Sequence, residues 1–234
     1  MPTKGRWRPA SVCPVFPLWQ KVSTCHGDLL LVEATGVRAH FQQISSRDSL
    51  RLLRAAKRRG LPVTADVSIQ HLLLDESALE GFISHCHVIP PLRSAADREA
   101  LLEAVADGTI DAICSQHTPI GSSSKAAPFP ATKPGMAGLD VLLSLVLQLV
   151  SEGKLELSRA LDAVTAAPAR CLGIQAGQLE TGRPASLCVL DPAGVKDLRE
   201  DWLSAGNNSP WRHAQLKGSV KLTVCQGKVS WLSD

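Results

Sequence analysis

The sequence predicts an α/β chain, a parallel sheet covered by helices with a small β-stranded region after it, and two patterns lead there. From about Gly27 to Leu172, strand-like runs alternate with helical runs of roughly 10 to 15 residues, the signature of βα units with right-handed crossovers. After about residue 176 the helical period disappears and short apolar runs separated by Gly, Pro and Asn take over, as in antiparallel strands. With 44% hydrophobic and 20% charged residues in 234, the chain has enough apolar content for a sizeable core.

Residues 1–25 mix Pro, Trp and basic residues without either period and predict an irregular arm. Asp28 to Thr35 has helical spacing and stops at Gly36; Val37 to Phe41 follows as a strand. Ser46 is placed to cap a helix whose apolar positions Leu50, Leu53 and Ala56 share one face, closed by Arg58-Arg59-Gly60 before a strand at Pro62–Val67. The next helix runs from Ala95 to Asp107, ends at Gly108 and leads into the strand Ile110–Cys114. A Ser/Pro/Gly-rich loop, 121–138, precedes an apolar helix from Leu139 to Ser151, then shorter helices at Ser158–Thr165 and Pro168–Leu172. The 139–150 stripe is apolar on nearly every face, which suits core or a subunit contact. Strands at Leu187–Leu190, Val220–Val224 and Lys228–Trp231 finish the chain, the last two joined through Cys225-Gln226-Gly227. This gives an arm (1–25), a βα domain (26–175) and a β appendage (176–234).

The net charge of +3 is dispersed, and the basic runs Lys4–Arg8 and Lys57-Arg58-Arg59 are short, which argues against a nucleic-acid partner. No uninterrupted 18-residue apolar run or signal-peptide core occurs, so neither a membrane span nor a secretory leader is expected. The cysteines at 13, 25, 86, 114, 171, 188 and 225 are odd in number and form no CxxC pair. Several lie in apolar runs such as Ala112-Ile113-Cys114 and Leu187-Cys188-Val189, predicting buried thiols in a reducing, cytoplasmic setting.

Seven stretches, in order, resemble the dihydroorotases of the amidohydrolase superfamily. Asp28–Gly36 is similar to that family's RDLELAEATG helix, and Pro62–Val67 with His71–Leu74 to PVTAEVTPHHLLL. Pro90-Pro91-Leu92-Arg93 resembles NPPLR, Asp107–Ile113 resembles the start of DGTIDAIATDHAPH, and Pro168-Ala169-Arg170 matches NPAR. Gly182–Pro192 is similar to GxxADLVLFDP and Leu216–Val220 to LKGxV. The resemblance implies the C-terminal part of a (β/α)8 barrel, with three strands where a closed barrel needs eight. It also implies that this family's N-terminal half, which carries the paired HxH ligands and the bridging carboxylate, has no counterpart here, as in an N-terminally truncated chain.

Active members hold two zinc ions that activate a bridging water for attack on a cyclic amide, with an aspartate on the last barrel strand handling the proton. Against that pattern the histidine of HxxHVS falls on Gln43, the asparagine before PPLR on Ile89, the catalytic aspartate of TDHAPH on Gln116 and the final histidine on Ile120, while His117 is retained. A carboxamide is a poor zinc ligand beside imidazole and cannot serve as a general base, and isoleucine offers no hydrogen bond. The resemblance therefore implies no catalytic, cofactor or metal residue in this chain, no zinc, and a pocket made apolar by Ile89 and Ile120.

Other candidates have plainer readings. His85-Cys86-His87 has the spacing of a metal pair but lies in the loop before Pro90, where a polar loop pair is the simpler reading. His117 suits a backbone hydrogen bond, His71 beside Gln70 the orientation of its loop, and His40 a packed strand imidazole. Ser122-Ser123-Ser124-Lys125 pairs hydroxyls with an amine in a flexible Gly/Ser loop without an oxyanion hole, and Gly135, Gly138 and Gly173 form no phosphate-binding GxGxxG. Three functions follow as expectations. The first is a non-catalytic assembly partner of the aspartate carbamoyltransferase catalytic subunit in pyrimidine synthesis, as in degenerate dihydroorotase-like chains, with homo-oligomerisation also open. The second is a zinc-dependent cyclic amidohydrolase, and the third a truncated product without function.

Overall fold

The computed structural model describes residues 18–233. The part of the expected arm at residues 1–17, Cys13 included, lies outside them. Residues 18–25 are helical rather than irregular, because the first helix, α1 (Leu18–Thr35), begins well before Asp28. Cys25, Leu29 and Val32 recur at i, i+4 and i+7 and bury one face in the main core, a period that the neighbouring Pro and Trp residues hid in the sequence. At its end Gly36 takes a left-handed φ of 69° and donates to the Val32 carbonyl. The Val37 N–H is turned back to the Thr35 hydroxyl, so β1 (Ala39–Phe41) starts two residues later than expected.

The βα alternation follows as predicted. Helix α2 (Arg47–Arg58) is capped by Ser46, whose Oγ accepts from the Ser49 N–H at 3.3 Å, with Asp48 in the first turn and Lys57 and Arg58 in the last, each favourable to the helix dipole. Strand β2 (Val63–Ser68) leads into the short α3 (Ile69–Leu73); α4 (Ala95–Ala106), capped by Ser94, precedes β3 (Ala112–Cys114). The three strands form one parallel sheet in the order β1-β2-β3, with Ala39 opposite Val63 and Asp66 opposite Ala112. Phe41, Val63, Ala65, Val67 and Ile113 point into the helix-covered core, while His40, Thr64 and Asp66 line the other face.

Helix α5 (Leu142–Ser151) supplies the fully buried Leu145, Val146 and Leu149 and starts three residues after Leu139, which stays in an exposed turn; α6 (Leu157–Val164) and α7 (Ala166–Leu172) follow. The tail forms a second, antiparallel sheet, β4 (Leu187–Asp197), β5 (Gln215–Cys225) and β6 (Lys228–Leu232), with β5 in the middle. Strand β4 outruns its expected end because register shifts between Val189 and Leu190 and between Asp191 and Val195 absorb Pro192 and Gly194, residues that read as a stop. Cys188, expected to be buried, is exposed, as is Cys225, since β4 and β5 leave these positions uncovered. The tail is tied to the rest: Leu198 is fully buried in the main core, and the Ser144 hydroxyl on α5 donates to the Gly218 carbonyl on β5 at 3.1 Å. Among the described residues no helix is long and apolar enough to cross a membrane.

Candidate functional site

In a parallel α/β barrel the side chains that act on substrates stand at the C-terminal ends of the strands. Here those ends carry three glutamines joined in a row. Gln70, just past β2, donates through Nε2 to Gln116 Oε1 at 2.6 Å; Gln116, just past β3, donates through Nε2 to Gln43 Oε1, just past β1, at 3.0 Å. Gln116 Nε2 also donates to the Ile89 carbonyl at 2.5 Å. That carbonyl can only accept, which fixes the Gln116 amide with its oxygen toward Gln70 and orients the whole row. The consequence is a buried Gln70 Oε1 left without a donor. Gln43 and Gln116 have φ of 55° and 44°, left-handed values that non-glycine residues seldom take and that tend to persist at sites shaped for a function.

The ionisable groups nearby are engaged with one another. Asp66 Oδ2 accepts from His40 Nε2 at 2.9 Å, and Oδ1 accepts from the Gln43 N–H at 2.8 Å and from the Cys114 thiol at 3.4 Å. Burial opposes the Asp66 charge, but the bonds from His40, Gln43 and Cys114 outweigh it and hold the carboxyl below its usual value. The Cys114 thiol is pushed up to about 12 by burial and by the adjacent Asp66 charge, so it is not a nucleophile at neutral pH. Lys21 on α1 reaches over to donate to the Gln43 carbonyl at 3.2 Å, its pKa lowered by burial and by Arg93.

The positions singled out in the sequence separate into two groups. Gln43 and Gln116 meet, as their motif places imply, whereas Ile89 takes part through its carbonyl with its side chain largely exposed, and the Ile120 side chain is turned toward Gly135. The expectation of an apolar pocket is thus corrected: carboxamides, not isoleucines, fill the strand ends. His117 Nδ1 accepts the Leu139 N–H at 3.2 Å. His71 is sealed in, with Nε2 donating to the Pro90 and Pro91 carbonyls at 3.1 and 3.3 Å and Nδ1 accepting from the Ser68 hydroxyl at 2.5 Å. Burial lowers its pKa to about 4. His40 bonds Thr64 and Asp66 at the sheet face.

His85 and Cys86 lie in a 3₁₀ turn (Ser84–Cys86) in which Cys86 is buried, and His87, just after it, stacks on Phe129 at 4.7 Å. Ser122–Lys125 is not an open flexible loop but another 3₁₀ turn. Its Lys125 is buried, donates to the Ser84 and His87 carbonyls at 2.9 and 3.3 Å, and has its pKa lowered to about 8 by burial.

Sequence reading gave Gln70 only as the neighbour of His71 and passed over Asp66, Lys21 and Asn208. Gln70 carried a signal, since it stands at the first histidine of the PHH motif that the sequence resembles, and Asp66 falls on the same strand face as Thr64. Asn208 carried none. Fully buried in the irregular chain between β4 and β5, it accepts the Ile120 N–H at 2.7 Å and donates to the Thr118 and Gly135 carbonyls at 2.9 and 3.0 Å, bracing the segment that presents Gln116. A cleft of about 440 Å³, lined by Thr64, Asp111, Arg159, Arg170 and Cys171 among others, opens at the opposite, N-terminal end of the strands.

A zinc pair needs carboxylate, imidazole or thiolate donors free to converge. The strand ends instead offer mutually bonded amides, and no cluster of three or more His, Cys, Asp or Glu able to hold a metal occurs among the described residues. The residues present do not fit that metal centre.

A family model described as the amidohydrolase family matches residues 26–230. The chain belongs to the amidohydrolase family. Among curated amidohydrolase relatives, a dihydroorotase-like protein of Pseudomonas aeruginosa is 46% identical over 203 residues, 87% of this chain and 48% of that protein. A dihydroorotase of Anaeromyxobacter dehalogenans is 42% identical over 205 residues, 86% of this chain and 47% of that protein. The chain thus spans about half the length of the curated relatives it matches. Solved structures agree on the fold: a D-hydantoinase (dihydropyrimidinase) from Thermus sp. superposes with a TM-score of 0.84 at 24% identity, over 92% of this chain and 49% of that one. The inactive dihydroorotase-like domain of the Chaetomium thermophilum CAD-like multifunctional protein gives 0.68 at 22%, over 88% of this chain and 55% of that one.

Proposed function

We propose that this dihydroorotase-like chain is non-catalytic and serves as a structural partner in the assembly of aspartate carbamoyltransferase. The observation that carries the first half is the Gln70–Gln116–Gln43 row: three adjoining strand-end positions are amides bonded to one another, which can neither take a proton from water nor neutralise a metal, while the nearby Asp66 carboxylate is engaged by His40, Gln43 and Cys114. In support, the relatives at 46% and 43% identity, from Pseudomonas aeruginosa and Pseudomonas putida, are both named dihydroorotase-like proteins. A preserved scaffold around an altered site is what an assembly role requires, because such a role selects surface and fold rather than chemistry. The partner is taken from the resemblance of the substituted motif positions to degenerate chains that accompany aspartate carbamoyltransferase.

The test has two parts. Purified chain, analysed for bound zinc and for dihydroorotate turnover, is expected to show less than one-tenth equivalent of zinc and no turnover above a buffer blank; stoichiometric zinc with turnover would instead establish the cyclic amidohydrolase. Mixed with the cognate aspartate carbamoyltransferase, it is expected to raise the mass of that enzyme in light scattering, and an unchanged mass rejects the partnership.

A further inference from the structure

The cleft of about 440 Å³ lies at the far end of the parallel strands from the glutamine row. One wall is the start of the sheet, with Thr64 on β2 and Asp111 just ahead of β3. The other wall is helical, with Arg159 and Asp162 on α6 and Arg170 and Cys171 on α7. Its volume is that of a small-molecule site, and charged groups of both signs line it.

Part of this lining is locked in place. Arg159 donates through Nε to the Val105 carbonyl at 2.8 Å, through Nη2 to the Ile110 and Asp111 carbonyls at 2.6 and 3.1 Å, and through Nη1 to Asp162 Oδ2 at 3.2 Å. The same Asp162 oxygen accepts from Arg170 Nη2 at 2.8 Å, which anchors the second guanidinium. Arg170 has capacity left over. Its side chain is 60% exposed and bonds only Asp162 among the described residues, so the remaining N–H donors of its fork have no protein acceptor there. Asp111 is in the same position, since Oδ2 accepts from Lys57 Nζ at 2.7 Å and from the Ala65 N–H at 2.8 Å while Oδ1 has no donor among the described residues.

The two signs together select the ligand. A simple anion drawn to Arg170 would also meet the carboxylates of Asp111 and Asp162, and a simple cation drawn to Asp111 would meet Arg159 and Arg170. A molecule that carries one charge of each sign, a few bonds apart, complements the whole lining.

We infer that this cleft is a binding site for a small zwitterion with the chemistry of a free α-amino acid, its carboxylate on Arg170 and its ammonium on Asp111 Oδ1. The groups that hold it are set before it arrives, because Asp162 fixes Arg170 and Lys57 and the Ala65 N–H fix Asp111. The site requires no chemistry on the ligand and is independent of the assembly role proposed above.

The test is titration of the isotopically labelled full chain with L-alanine, L-glutamine and L-leucine, followed through its amide resonances, with acetate and methylammonium as probes bearing a single charge. At least one amino acid is expected to bind with a Kd of about 1 mM or tighter and to shift the amides of Asp111, Arg170 and Cys171 saturably. Acetate and methylammonium, each missing one charged contact, are expected to bind about tenfold more weakly or worse. Arg170→Gln, at an exposed position, is expected to weaken amino-acid binding by about tenfold or more with the circular dichroism unchanged, and Asp111→Asn to do the same. Because Asp111 also holds the Ala65 N–H, Arg170→Gln decides the matter if Asp111→Asn alters the fold. No saturable shift with any of the three amino acids, shifts confined to residues outside the cleft, a singly charged probe binding as tightly as the amino acid, or full affinity in Arg170→Gln would each overturn the inference. None of these outcomes bears on zinc, dihydroorotate turnover or the mass of aspartate carbamoyltransferase.

Discussion

At the scale of single residues, His71 shows how burial fixes a protonation state. Its Nε2 faces two carbonyls and its Nδ1 a hydroxyl, an arrangement suited to the neutral ring, and burial holds its pKa near 4 against 6.5 for a free imidazole. The folded state therefore binds fewer protons than the unfolded chain between these values, so stability is full above pH 6.5 and is lost as pH falls toward 4. The difference in pKa corresponds to roughly 3 kcal/mol. Urea unfolding at steps between pH 7 and 4 should show this decline in the wild type and a much flatter profile in His71→Gln, whose amide can still donate and accept. Parallel profiles would mean that His71 is not the group responsible. The glutamine row has no titration at all, because carboxamides carry no ionisable proton.

At the scale of elements, the end of β3 is held by close backbone packing. A Cβ added at Gly138 would lie 2.2 Å from the Ser115 carbonyl oxygen, which has no room to retreat because Ser115 leads directly into Gln116. Gly138→Ala is expected to destabilise the protein by about 1–3 kcal/mol, the range for forced overpacking, as a lower urea midpoint. Gly121→Ala, which meets nothing within 4 Å, should stay within about 0.5 kcal/mol of the wild type. Equal effects at the two positions would remove the steric argument.

At the scale of the whole molecule, the tail and the βα region share one core. Leu198 is buried with the α5 leucines, and Asn208 answers three backbone groups of the segments 118–120 and 135 from a fully enclosed position. Asn208→Ala leaves one N–H and two carbonyls without this partner, of which the Gly135 carbonyl is buried, a loss of about 1–3 kcal/mol. Differential exchange should then show faster opening in 116–121 as well as in the tail, whereas an effect confined to 198–214 would separate the two regions.

The sequence by itself determined most of the local elements and the family resemblance that singles out Gln43 and Gln116. Ser46, Leu50, Leu53 and Ala56 dictate α2 through capping and period, and the motif places of Gln43 and Gln116 are what the resemblance to the dihydroorotases implies. Tertiary structure decided what those residues do, because hydrogen bonds between chain positions far apart have no local signature. Only folding brings Gln70, Gln116 and Gln43 into a row 46 and 73 residues apart at its two joints, aligns them through the Ile89 carbonyl and braces them with Asn208. The same holds for β4, whose bulges carry it past Pro192, and for α1, whose buried face exists only because a core is there to receive it.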